Sequence, residues 1–183
     1  MKEATTLMRP DNDLKPLLQG LNKNDFNIVS LDDEIRVDRR CVDLLRHFHQ
    51  YLTCHKGLSP EQAGEICHGA DYFLREFIIA DRRDNLFCTS AERVRQFAGH
   101  WYIIRTPEPN LAELTRILEG TTLFYGFLAE QSLVERQVSL EIARQCDEKD
   151  YYQHRIDEFW AIEGNGFDAW RQACQLEPVP DIS

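Results

Sequence analysis

The sequence predicts an all-α protein, an orthogonal bundle of about four helices followed by a helical C-terminal extension. Three observations predict it. From Cys41 onward, apolar residues recur at three- and four-residue steps, which places them on one face of a helix. The periodic segments are separated by start and stop signals: Ser59-Pro60, Thr89-Ser90, Thr106-Pro107-Glu108-Pro109 and Gly164-Asn165-Gly166. The connections between them in the middle of the chain are short, as in helical bundles.

Residues 1–25, with Pro10, Pro16, Gly20 and several Asn and Asp, read as a loose lead-in with one short helix near Leu14 to Leu21. Phe26 to Val37 is compatible with a small hairpin or an irregular approach to a helix. The first regular helix starts at Asp38, carries Cys41, Leu44, Leu45, Phe48, Tyr51 and Leu52 on one face, and ends before Gly57. Ser59 as N-cap and Pro60 at the first helical position open a second, running to about Ile79. Thr89-Ser90-Ala91-Glu92 fits a capping box with Thr89 as the cap, and the helix after it buries Val94, Phe97, Ala98 and Trp101. Two prolines, Pro107 and Pro109, stop it. Asn110 caps a fourth helix, weakened by Gly120 and Gly126. Beyond Leu133, Val138, Ile142, Cys146, Tyr152, Ile156, Phe159 and Trp160 predict one or two further helices jointed at Asp147 to Asp150. A last short helix spans Phe167 to Leu176. The domain reading is an extension over 1–37, a helical domain over 38–136, and an acidic helical extension over 137–183 that packs on the bundle.

Charge narrows the function. The 183 residues carry 21 Lys and Arg against 31 Asp and Glu, a formal net charge of −10, so the surface on average repels a phosphate backbone. No apolar stretch approaches the roughly 18 to 20 residues that span a bilayer, and Met1-Lys2-Glu3 does not begin a signal peptide. The expectation is a soluble, cytoplasmic chain with no membrane contact. The six cysteines are spread without a C-x-x-C pair, which favours reduced thiols over a disulfide or zinc framework.

Leu45 to Glu135, about half the chain, resembles the N-terminal core-binding domain of tyrosine recombinases, the phage integrases. The residues that carry the likeness are Phe48-His49-Gln50-Tyr51-Leu52 followed by Lys56-Gly57-Leu58-Ser59-Pro60, then Tyr72-Phe73-Leu74, then Thr89 to Ala98, then Leu123 to Leu128 with Ser132-Leu133-Val134. The resemblance implies a SAM-like helical bundle that grips DNA, here without a catalytic domain. It makes Lys56, Arg75, Arg82, Arg83, Arg93 and Arg116 the candidate DNA contacts. The departures from that pattern remove charge. Where the family commonly carries arginines, this chain has Gly64, Cys67, His68 and Gly69 in its second helix and Thr121, Thr122 and Gly126 in its fourth. Over 38–136, twelve Lys and Arg face fourteen Asp and Glu, so even the DNA-gripping region is not basic. Only 47 residues follow Arg136, without the Arg, His and Tyr arrangement that recombination needs, so no recombinase activity is expected.

Residue spacing also bears on metal and catalytic chemistry. His47, His49, Cys54, His55, Glu65, Cys67 and His68 lie close in sequence, and Glu65-x-x-His68 puts a carboxylate and an imidazole on one helical face. Cys67, however, falls on an apolar stripe, and His47 and His49 cannot share the core face of Phe48, so no metal site is expected. Phosphate-binding loops, nucleophile elbows, dinucleotide fingerprints and H-E-x-x-H are lacking, so neither a catalytic residue nor a cofactor is assigned. The rings of the C-terminal extension, among them Tyr151, Tyr152, Phe159, Trp160, Phe167 and Trp170, offer a partner surface, although most are expected to pack inward. The sequence therefore favours a non-catalytic module for protein docking or self-association. A DNA-binding accessory or remnant of an integrase is the second reading, and a metal-binding helical protein the third.

Overall fold

A computed structural model describes residue 18 and residues 20–179; the short helix expected near 14–21 lies mostly outside them, as does Pro180 of the tail. Among the described residues the regular structure is helical throughout, so the fold is all-α. After a 3-10 turn at Lys23–Phe26, seven helices follow.

The first, α1 (Leu31–Cys54), replaces the hairpin or irregular approach expected over 26–37 and begins well before Asp38. The cause is local. Ser30 accepts the Asp33 amide at 3.2 Å, while the Asp33 carboxylate takes the Ser30 hydroxyl at 2.9 Å and the Val29 amide at 3.2 Å. Asp32, Asp33 and Glu34 also complement the positive end of the helix. The corner after α1 forms as the residues dictate. Gly57 takes φ +70°, the Leu58 amide turns back to the Leu52 carbonyl at 3.1 Å, and Ser59 and Gln62 cap each other reciprocally around Pro60.

Helix α2 (Pro60–Asp71) continues as a wider, π-helical segment, Tyr72–Asp81, so the run ends within two residues of the expected Ile79 and only its widening is new. Helix α3 (Ala91–Gln96) likewise passes through a π segment, Phe97–Trp101, into a final turn, Tyr102–Arg105. Its cap is Ser90, which accepts the Arg93 amide at 3.4 Å, and not Thr89, which a preceding 3-10 turn at Leu86–Cys88 draws into the interior. Asn110 does cap α4 (Leu111–Glu130), accepting the Glu113 amide at 2.9 Å. The chain closes with α5 (Arg136–Cys146), α6 (Lys149–Trp160) and α7 (Gly166–Gln172), with the expected joint between α5 and α6.

Helices α2 and α4 cross at glycines. A Cβ on Gly69 would meet the Arg116 carbonyl oxygen at 2.5 Å, and one on Gly120 would run into the backbone of Ile66 and Ala70. The weakness that Gly120 brings to α4 is thus offset by close helix packing. One continuous core runs from Phe26 and Val37 through Phe73, Phe97 and Phe124 to Ile142, Tyr152, Ile156 and Trp170. Helices α5 and α6 therefore share it with α3 and α4.

The last helices are fastened by a buried cation. Arg155, 2% exposed, donates to the Gly99 carbonyl at 3.1 Å and the Trp170 carbonyl at 2.7 Å, and lies 4.2 Å from the Trp170 ring centroid. The Trp170 indole answers by donating to the Arg155 carbonyl at 3.0 Å. One guanidinium thus joins α6, α7 and the π segment of α3.

Candidate functional site

Each cation expected to contact DNA has a defined place. Lys56 sits at the α1–α2 corner with its ammonium 3.0 Å from Glu130, at the end of α4. Arg75 spans α2 and α1, gripping Asp38 at 2.6 and 3.2 Å and Asp71 at 3.1 Å. These hydrogen bonds to Asp38 hold its guanidinium above the ordinary arginine range. Arg82 is buried. It bonds Asp81 through Nε at 2.6 Å and donates to the Glu177 carbonyl at 2.7 Å. Arg83, in a left-handed conformation at φ +54°, approaches Glu34 at 3.5 Å. Arg93 binds Asp84 at 2.6 Å and the Glu177 carboxylate at 2.9 Å. Arg116 is exposed and, among the described residues, reaches only the Ala112 carbonyl of its own helix, at 3.4 Å.

The structure brings Arg82 and Arg93 together through Glu177, whose carbonyl takes one and whose carboxylate takes the other. It disperses the rest. Five of the six cations lie within ion-pair distance of carboxylates of the same chain. Lys56, Arg75 and Arg83 tie one helical segment to another, and Arg82 and Arg93 tie the bundle to Glu177 in the C-terminal tail. A phosphate would have to displace a neighbouring carboxylate from each of them before counterion release could favour binding.

The histidine and cysteine side chains of 47–68 are distributed by the same packing. His49, Cys67 and His68 line a groove of about 370 Å³ between α1 and α2, together with Val42, Leu45 and Asp71. The His49 Nε2 lies 3.3 Å from the Pro60 carbonyl, and the Cys67 thiol points to the Leu45 carbonyl at 3.9 Å. The His55 ring stacks on Tyr51 at 5.7 Å. No group of three or more His, Cys, Asp or Glu among the described residues is arranged to hold a metal ion.

The titratable interior is held away from nucleophilic forms. Burial pushes the Cys67 and Cys146 thiols up to about 11, and it raises Cys41 and Cys174 as well. It also raises the phenols of Tyr51, Tyr72, Tyr102, Tyr125, Tyr151 and Tyr152. His100 is buried and moves down, because desolvation and the Arg155, Arg171 and Arg82 charges outweigh its bond to the Cys174 carbonyl. A carbonyl can only accept, so Nδ1 of His100 carries the proton.

Among the described residues, exposed large apolar side chains group in two places, apart from the scattered Ile104, Leu140 and Val179. The first is the start of α1, where Val29, Leu31 and Ile35 are exposed. Sequence reasoning missed it, although the Leu31–Ile35 spacing and the Ser30-x-x-Asp33 pattern are helical signals. The second is the aromatic face of α6 and α7. Most of its rings pack inward as expected: Tyr152 is fully buried, Trp170 nearly so, and Tyr151 and Phe159 are half-buried. Trp160 and Phe167 are not, with 58% and 41% of their surface open. They are the two ends of a chain of rings. Trp160 touches Phe159 at 5.7 Å, Phe159 touches Trp170 at 5.2 Å, and Trp170 stacks with Phe167 at 5.9 Å between centroids. Buried Arg155 was also missed, and nothing in its sequence setting distinguishes it from a surface arginine. Compared with known proteins, the chain matches no family model, no curated protein and no solved structure.

Proposed function

We propose that this chain is a non-catalytic helical module that docks to another protein, with a second copy of itself as the alternative partner. The observation that carries the reading is the pairing of cations. Lys56, Arg75, Arg82, Arg83 and Arg93, which would face phosphates in a duplex-gripping bundle, all have carboxylate partners within the fold. Affinity for DNA is built largely from free cations, so this arrangement favours a partner recognised by other means. Exposed large apolar side chains supply such means, since aromatic anchors in a polar rim carry much of the energy of protein interfaces. The raised thiols and phenols support the absence of nucleophilic chemistry, because each is favoured in its protonated form.

Selection of displayed random peptides against the immobilised full chain tests the reading. Convergence on a peptide motif that competes with its own free form is the expected result. Failure to enrich any motif, while a labelled DNA duplex binds saturably at about 0.15 M salt, would replace protein docking by the integrase-accessory reading.

A further inference from the structure

Resting on the docking reading, we propose that the aromatic face of α6 and α7 is the docking site, and that it takes a basic segment of a partner protein bearing arginine or lysine beside apolar side chains. Trp160 and Phe167 present two accessible rings, linked through Phe159 and Trp170, and the Arg155 guanidinium holds the Trp170 ring between them. This packing keeps the rings in place, so little side-chain entropy is lost when a partner covers them.

The charge around the rings selects the partner. Asp157 precedes Trp160 by one helical turn, and among the described residues its carboxylate accepts only from the neutral Gln153 amide, at 2.7 Å. Glu163 lies in the loop between the two helices and, among the described residues, has no ion-pair partner. Asp168 beside Phe167 pairs loosely with Arg171 at 3.4 Å, with both side chains more than half exposed. Exposed rings beside carboxylates without firm cationic partners attract a cation twice, through the ring quadrupole and through the carboxylates. An acidic partner would meet repulsion on the same ground. The start of α1 has fewer open carboxylates: Asp33 is engaged by Ser30 and Arg36 and Glu34 by Arg83, which leaves exposed Asp32 there.

A fluorescein-labelled synthetic peptide alternating arginine with leucine and tryptophan tests this by anisotropy at about 0.15 M salt, beside its glutamate-for-arginine counterpart. The full chain should bind the arginine peptide saturably and the glutamate peptide not at all. Trp160→Ala with Phe167→Ala alters only exposed positions and should weaken binding roughly tenfold or more. Asp157→Lys with Glu163→Lys should do the same with the rings intact. Equal affinity for the chain and both double variants would overturn the site while leaving protein docking standing. No arginine-peptide binding, preference for the glutamate peptide, or a dimer in sedimentation that W160A with F167A dissolves would overturn the proposed partner class.

Discussion

A single side chain decides how the C-terminal third is held. Arg155 is buried with three donors engaged, to the Gly99 and Trp170 carbonyls and to Glu158 at 3.3 Å. Arg155→Ala removes the cation and leaves two interior carbonyls without their donor, which should cost about 3 kcal/mol in urea unfolding. Arg155→Lys should recover little of that, because one ammonium cannot span three acceptors set for a planar fork. A loss within about 0.5 kcal/mol for the alanine variant would show that the knot is unimportant. His100 makes a second prediction at this scale. Its folded-state pKa lies below the ordinary histidine value of 6.5, so the unfolded chain takes up a proton there before the folded chain does. Stability is therefore unaffected by this group well above pH 6.5 and declines as pH falls below it, down to the lowered folded value. Burial sets this direction first, and the Arg155, Arg171 and Arg82 charges add to it against the hydrogen bond to the Cys174 carbonyl. Urea midpoints for the natural chain and His100→Gln should diverge in slope between pH 7 and pH 5, the variant lacking this decline. Parallel profiles would contradict the assignment.

Glycines show what an element's sequence reveals and what it conceals. Gly120 and Gly126 look alike as weak points of α4, yet only Gly120 lies where a neighbouring backbone would meet a Cβ, while Gly126 has open space. Gly120→Ala should thus destabilise by about 3 kcal/mol through overpacking at the α2–α4 crossing. Gly126→Ala should stabilise by about 0.5 to 1 kcal/mol through helix propensity. Thermal unfolding of both variants checks the pair, and equal shifts would contradict the crossing. The same contrast explains what could be read in advance. Ser59-Pro60 and Asn110 announce their helices because the capping chemistry is confined to four residues. The start of α1 escaped because Asp33, not Glu or Gln, completes the Ser30 cap, and the cap of α3 moved from Thr89 to Ser90 because tertiary packing takes Thr89 inward. The π segments at Tyr72–Asp81 and Phe97–Trp101 leave no mark in composition, since widening a helix changes which neighbours meet without changing residue types.

For the whole molecule, charge counted along the chain and charge paired in space lead to the same conclusion by different routes. The sequence carries 31 acidic residues against 21 Lys and Arg, which shows a surplus of carboxylates but not where they stand. In the fold, several of them stand against the very cations that a DNA-gripping bundle would leave open. Asp38 and Asp71 hold Arg75, Asp81 holds Arg82, and Asp84 with Glu177 holds Arg93. Glu177 lies in the tail after α7, far along the chain from its partner, so its role could not be read from local spacing. The exposed rings were legible only as members of a group of aromatics in the C-terminal extension. That Trp160 and Phe167 stay outside while Tyr152 and Trp170 go inside depends on which face of each helix meets α3 and α4.

The most direct measurement of this internal pairing is the affinity of the full chain for a fluorescein-labelled DNA duplex, followed by anisotropy as salt is raised from about 50 to about 200 mM. The pairing predicts no saturable binding in the micromolar range and a nearly flat dependence on salt. Nanomolar affinity at the upper salt concentration, or a log–log slope corresponding to several released counterions, would contradict it.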